Sequence, residues 1–169
     1  AERYLTTETL TAGNIVSIKR QGGDKYEVTK EHVDPSQILG IITTSPHTLM
    51  GDSTQELGKE PADVALAGRV PAIVTTLDGQ LLNGDRITSS TIAGLGAKAT
   101  KAGETVGKTL ESTSHWNENN CPIALSIDTI NWPQDDGTNQ TKPCYRVPVS
   151  SLDSLSQTKL TQEYGLEAS

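Results

Sequence analysis

From residue 63 to residue 112 the chain is a succession of short β-branched runs cut by glycine turns, a rhythm that suits short strands and no sustained helix. Residues 64–75 form an apolar run interrupted by Gly68, Arg69 and Pro71, and it stops at Asp78-Gly79, a strong hairpin signal. Turns recur at Asn83-Gly84-Asp85 and at Ala102-Gly103, with a strand expected around Ile87 and Thr88. Gly68, Gly84 and Gly107 are expected where the backbone needs positive φ or where another backbone comes close. With no Phe, one Met and 4% aromatic residues, the core has to be built from Val, Ile, Leu and Ala, while 22 Thr suit half-exposed strand faces. The expected fold class is all-β: a compact barrel-like, sandwich-like or β-clip-like domain with a C-terminal hairpin and tail.

The same signals extend in both directions. Residues 12–20 read as a glycine turn and a strand in which Ile15 has one parity and Val16 and Ile18 the other, so both faces are expected to be partly covered. Residues 26–30 read as its hairpin partner, residues 38–46 as a buried strand, and residues 47–62 as a long polar loop. Residues 1–11 are polar and Thr-rich, either a strand-like arm or an entering loop. Beyond residue 112, residues 123–132 and 144–149 are expected to pair as a hairpin around a long turn. Leu152, Leu155 and Leu160 fall at roughly helical spacing, consistent with one short helix or an extended tail. There is also an internal echo: Gly13-Asn14 precedes Val16 and is followed by Gly40, as Gly84-Asp85 precedes Ile87 and is followed by Gly107.

Charge and motif content exclude several functions. The net charge is -7 and the longest basic cluster is Lys19-Arg20, which is not a footprint for nucleic acid. No apolar run approaches the roughly 20 residues of a membrane helix. His32, His47 and His115 are scattered without metal-ligand spacing, and Ser89-Ser90 lie in no nucleophile elbow. The glycines at 94, 96, 103 and 107 form no phosphate loop. Asp135, Asp136 and Asn139 read as an acidic turn rather than a calcium site. No catalytic residue, metal or cofactor is expected, and the chain reads as a non-enzyme. Cys121 and Cys144 are flanked by prolines and match no metal or redox motif. A bridge between them would close a loop of about 24 residues, worth roughly 3 kcal/mol, and would imply an oxidising compartment; two unbridged thiols are the alternative.

The stretches ALAGRVP, GDRITSS and ATKAGETVGK, in the order set by LTAGNIVSI and ILGIITTSP before them, resemble a module of phage tail-fibre and neck-appendage proteins and of bacterial surface proteins. It is similar to the intramolecular-chaperone autoproteolytic cleavage-domain family, and the likeness covers roughly residues 1–112. The resemblance implies a β-rich module that helps a fibre assemble; some relatives cut themselves, and no cleavage residue can be assigned here. The expected organisation is an N-terminal arm (1–11), a β-rich fibre module (12–112), a hairpin extension (113–149) and a tail (150–169). The expected role is a structural subunit of an extracellular fibre or filament, with the chain itself as principal partner and other fibre subunits or a cell-surface receptor as further ones. The arms, through Leu5, Leu10, Leu152, Leu155, Leu160 and Tyr164, are expected to pack on a neighbouring subunit. A self-processing domain, for which an opening at Ala1 rather than Met would mark a cut already made, and a carbohydrate-binding tip using Trp116 and Trp132, are the alternatives.

Overall fold

The structure, a computed structural model, describes residues 1–20, 26–30, 37–46, 48–51, 56–113, 128–133, 139–144 and 154–164. It is built of strands with a single helix among the described residues. Five strands close a barrel: β1 (Glu2–Thr6), β2 (Ile15–Arg20), β3 (Tyr26–Thr29), β4 (Ile38–Ile42) and β5 (Glu60–Ala65), in the order β1-β3-β2-β4-β5. Every neighbouring pair is antiparallel except β1 and β3, which run parallel with Leu5 opposite Glu27. Closure removes the free edges that an open sheet would present.

Alternation explains both the barrel and what packs on it. Val16, Val28, Ile42, Ala62 and Val64 fill the interior, with Tyr4, Leu10 and Leu39 packed against them. Ile15 and Ile41, one residue out of phase with Val16 and Ile42, face the opposite way and join Leu81 and Ile87 in a second core. Strands β2 and β4 are therefore apolar on both faces because each lies between two cores.

The second core belongs to a three-stranded sheet of β6 (Arg86–Ser89), β7 (Gly96–Lys98) and β8 (Gly107–Lys108), in the order β7-β6-β8. This sheet repeats the β3-β2-β4 part of the barrel. The central strand β6 pairs antiparallel with β7 on one side and β8 on the other, as β2 pairs with β3 and β4. Ile87 stands opposite Gly107 as Val16 stands opposite Gly40. Val74 bridges in parallel to Gly96 in β7, as β1 runs parallel to β3.

Hydrogen bonds make the equivalence specific. Gly13 N donates to Ile42 O at 2.9 Å and Ile42 N to Asn14 O at 2.9 Å; Gly84 N donates to Thr109 O at 2.8 Å and Thr109 N to Asp85 O at 2.9 Å. In both turns the residue after glycine caps the turn through its side chain: Asn14 Oδ1 accepts from Thr11 N and Asp85 Oδ2 from Leu82 N, each at 2.8 Å. The glycines sit at φ 94° and 93°, a region where a Cβ is strained. The echo in the sequence is thus a duplicated supersecondary unit.

Several sequence expectations need correction. Residues 2–6 are not a separate arm; β1 is paired on both sides inside its own barrel, and Leu10 packs on the barrel core. The strand expected over 64–75 is instead Glu60–Ala65, beginning inside the expected loop, and Gly68 (φ 99°) and Pro71 leave only the Val74 bridge behind it. Asp78-Gly79 forms a turn closed by Gly79 N to Thr76 O at 3.0 Å but joins no hairpin strands. The C-terminal hairpin pairs β9 (Asp128–Pro133) with β10 (Asn139–Cys144), so the return strand occupies what read as a turn. Residues 121–127 and 145–149, and with them Cys121 and the proposed bridge to Cys144, lie outside the described residues. The tail contains a helix, α1 (Ser154–Tyr164), in which Thr158 and Thr161 return their hydroxyls to the carbonyls of Ser154 and Gln157.

Candidate assembly surface

Two polar clusters lock the barrel. Arg3 stands opposite Asp63 across β1 and β5 and makes a two-pronged contact, Nε to Oδ1 at 2.7 Å and Nη2 to Oδ2 at 3.0 Å. Glu27, 3% exposed on β3, is neutralised by the ammonium of Lys59, which also meets Glu56 Oε2 at 2.6 Å. Hydrogen bonds that Lys59 donates to Glu27 and then to Glu56 raise its pKa above the ordinary 10.5, and burial, with Glu2 beside it, raises the Tyr4 phenol above 10.0.

Both shifts favour the protonated form in the folded state. Their stabilisation is fully present below pH 10.0 for Tyr4 and 10.5 for Lys59, and is lost as pH rises through the raised folded values. Thermal unfolding followed from pH 8 to 11.5 should show a plateau and then a decline above about pH 10. The decline should be shallower in Lys59→Met than in the parent chain. Equal slopes in the two proteins would remove Lys59 from this account.

Among the described residues no group of His, Cys, Asp and Glu is placed to hold a metal ion. His32, His47, His115, Trp116, Asp135 and Asp136 lie outside them; Trp132 stands in β9 opposite Gln140. No described helix is long and apolar enough to cross a membrane.

The residues singled out for assembly fall in different places. Leu5 is committed to β1 and Leu10 to the barrel core. Leu155, Leu160 and Tyr164 lie on α1, with Leu155 exposed, and Leu152 falls outside the described residues. The helix is tied to its own chain: Ser156 is fully buried and its Oγ accepts from Ala93 N at 3.1 Å. At Ser156 the tail is docked on its own chain.

What the structure leaves open is the second unit. In the barrel, β5 covers the outer edge of β4, and Thr43 N donates to Asp63 O at 2.9 Å. Among the described residues no strand pairs with the outer edge of β8. Leu110, exposed, follows Thr109 at the end of β8, while the exposed Leu82 lies in the turn entering β6, on the side of β8 where Gly84 N donates to Thr109 O. Sequence reasoning missed this surface because it did not align Leu10-Thr11 with Leu81-Leu82; the shared leucine ahead of each capped glycine turn was the available signal. Gly107, expected to need positive φ or a close backbone, shows neither among the described residues, whereas Gly68 and Gly84 have positive φ. Compared with family models, curated proteins and solved structures, the chain matches none.

Proposed function

We propose that this chain is a non-enzymatic structural subunit of an extracellular fibre or filament, such as a phage tail appendage or a bacterial surface filament, and that it acts by self-association. The observation that carries the reading is the outer edge of β8, with which no strand pairs among the described residues and at whose end Leu110 is exposed; such an edge is a template for pairing with another chain. The resemblance of ALAGRVP, GDRITSS and ATKAGETVGK to fibre modules supports the same reading and its extracellular setting. Self-processing is the second reading, and it rests on that resemblance alone.

Sedimentation velocity over a hundredfold concentration range, with electron micrographs of the most concentrated sample, tests the proposal. Regular oligomers or filaments are the expected result. A chain that remains monomeric throughout would refute it, and a precursor that shortens on incubation would shift the assignment to self-processing.

A further inference from the structure

Gly40 and Gly107 occupy equivalent positions, opposite Val16 and Ile87, yet their surroundings differ. A Cβ on Gly40 would lie 2.4 Å from Ala65 O and 2.8 Å from Val64 Cγ1, because the end of β5, paired beside β4, comes close to it there. A Cβ on Gly107 would meet nothing within 4 Å among the described residues. The second unit therefore has the bare glycine that admits a closing strand, and among the described residues no strand takes that position.

The chain contains a strand suited to that position. In the first unit β5 follows β4 after residues 43–59; in the second, β9 follows β8 after residues 109–127, a connection of similar length. Both strands open on an acidic residue, Glu60 and Asp128, and both carry apolar residues at their third and fifth positions, Ala62 and Val64 in one, Ile130 and Trp132 in the other. Among the described residues β9 pairs with β10 and not with β8. Strand and edge are thus separate among the described residues of one molecule, an arrangement that suits pairing between two copies.

We infer that the outer edge of β8, beside Gly107 and Leu110, is the docking site for the Asp128–Pro133 strand of a second copy of this chain, which completes the second unit as β5 completes the first. This rests on the self-association proposed above and names the surface and the segment that carry it.

Gly107→Val tests the inference, with Gly103→Val as control, since a Cβ at either position meets nothing within 4 Å among the described residues and neither has positive φ. Both variants should keep the parent circular dichroism and thermal midpoint. Only Gly107→Val should raise the self-association Kd, by about tenfold or more, which corresponds to about 1.4 kcal/mol. In a mixture of nitrogen-14 and nitrogen-15 chains, an amine-reactive reagent should join Lys108 to Lys142, the residue opposite Ile130 in the hairpin, in mixed-isotope pairs. Assembly of Gly107→Val at the parent Kd would overturn the docking site while leaving the fibre reading standing. Lys108–Lys142 links confined to single-isotope pairs, or absent, would overturn the second copy as occupant even if Gly107→Val failed to fold. A parent chain that never associates would instead defeat the fibre reading, and this inference with it.

Discussion

Gly40→Val is expected to open the barrel, lowering the unfolding free energy by about 3 kcal/mol or more, at the upper end of what overpacking costs. The added carbons have no space to enter: the nearest atom to a Cβ is the Ala65 carbonyl oxygen, 2.4 Å away and held in the β4–β5 ladder where Ile41 pairs with Ala65. A side chain could rotate aside; a backbone carbonyl in a closed sheet cannot move without breaking the pairing on both of its edges. The strand affected also carries Val64, fully buried in the barrel core, and Asp63, the partner of Arg3, so displacement of β5 loosens packing and charge pairing together. Urea unfolding monitored by circular dichroism should show the midpoint displaced strongly for Gly40→Val and within about 0.5 kcal/mol of the parent for Gly103→Val, the ordinary range for a surface change. A Gly40→Val midpoint equal to that of the control would mean that β5 does not lie over Gly40.

The parts of this architecture that were legible in the sequence are those whose physics is local. Ile15 and Val16 at opposite parity announced a strand covered on both faces, and the structure supplies a core for each. The glycine-capped turns at Gly13-Asn14 and Gly84-Asp85 were legible because a positive-φ turn with a side-chain cap needs those residue types. Strand β1 was not legible as a barrel strand, since its pairing with β5 depends on residues some sixty positions away and its own composition is polar. The onset of β5 was hidden for a similar reason. Glu60, Pro61 and Asp63 look like loop residues until the salt bridge to Arg3 and the alternation of buried Ala62 and Val64 are seen together. Glu27 is the least legible residue of all, a buried carboxylate whose place inside the protein depends on Lys59 arriving from a distant segment. The candidate assembly surface was half legible. Gly107 stands out in the sequence, but neither the positive φ nor the close backbone expected of it is found among the described residues, and the dock of α1 on its own chain at Ser156 was not legible in the tail.

Leu81→Ala is expected to destabilise the barrel and the second sheet together, by about 2 to 5 kcal/mol. Leu81 is 1% exposed and shares its core with Ile15 and Ile41 from the barrel and Ile87 from β6, so the cavity left behind is lined by both units. Relaxation into that cavity is restricted, because Thr113 clamps the Leu81 backbone from both sides: Leu81 N donates to Thr113 Oγ1 at 2.8 Å and Thr113 N to Leu81 O at 2.8 Å. Further bonds cross between the units, from Ile15 N to Gly94 O at 2.8 Å and from Ile73 N to Gly13 O at 2.9 Å, and these make independent unfolding costly. The duplicated fold offers a matched pair of reporters, the amide of Ile42 bonded to Asn14 O in the barrel and the amide of Thr109 bonded to Asp85 O in the second sheet. Native-state hydrogen exchange should show both amides losing protection by the same factor in Leu81→Ala, the signature of one cooperative body. Loss at Thr109 with full protection retained at Ile42 would show that the barrel stands alone and that the second core contributes nothing to its closure.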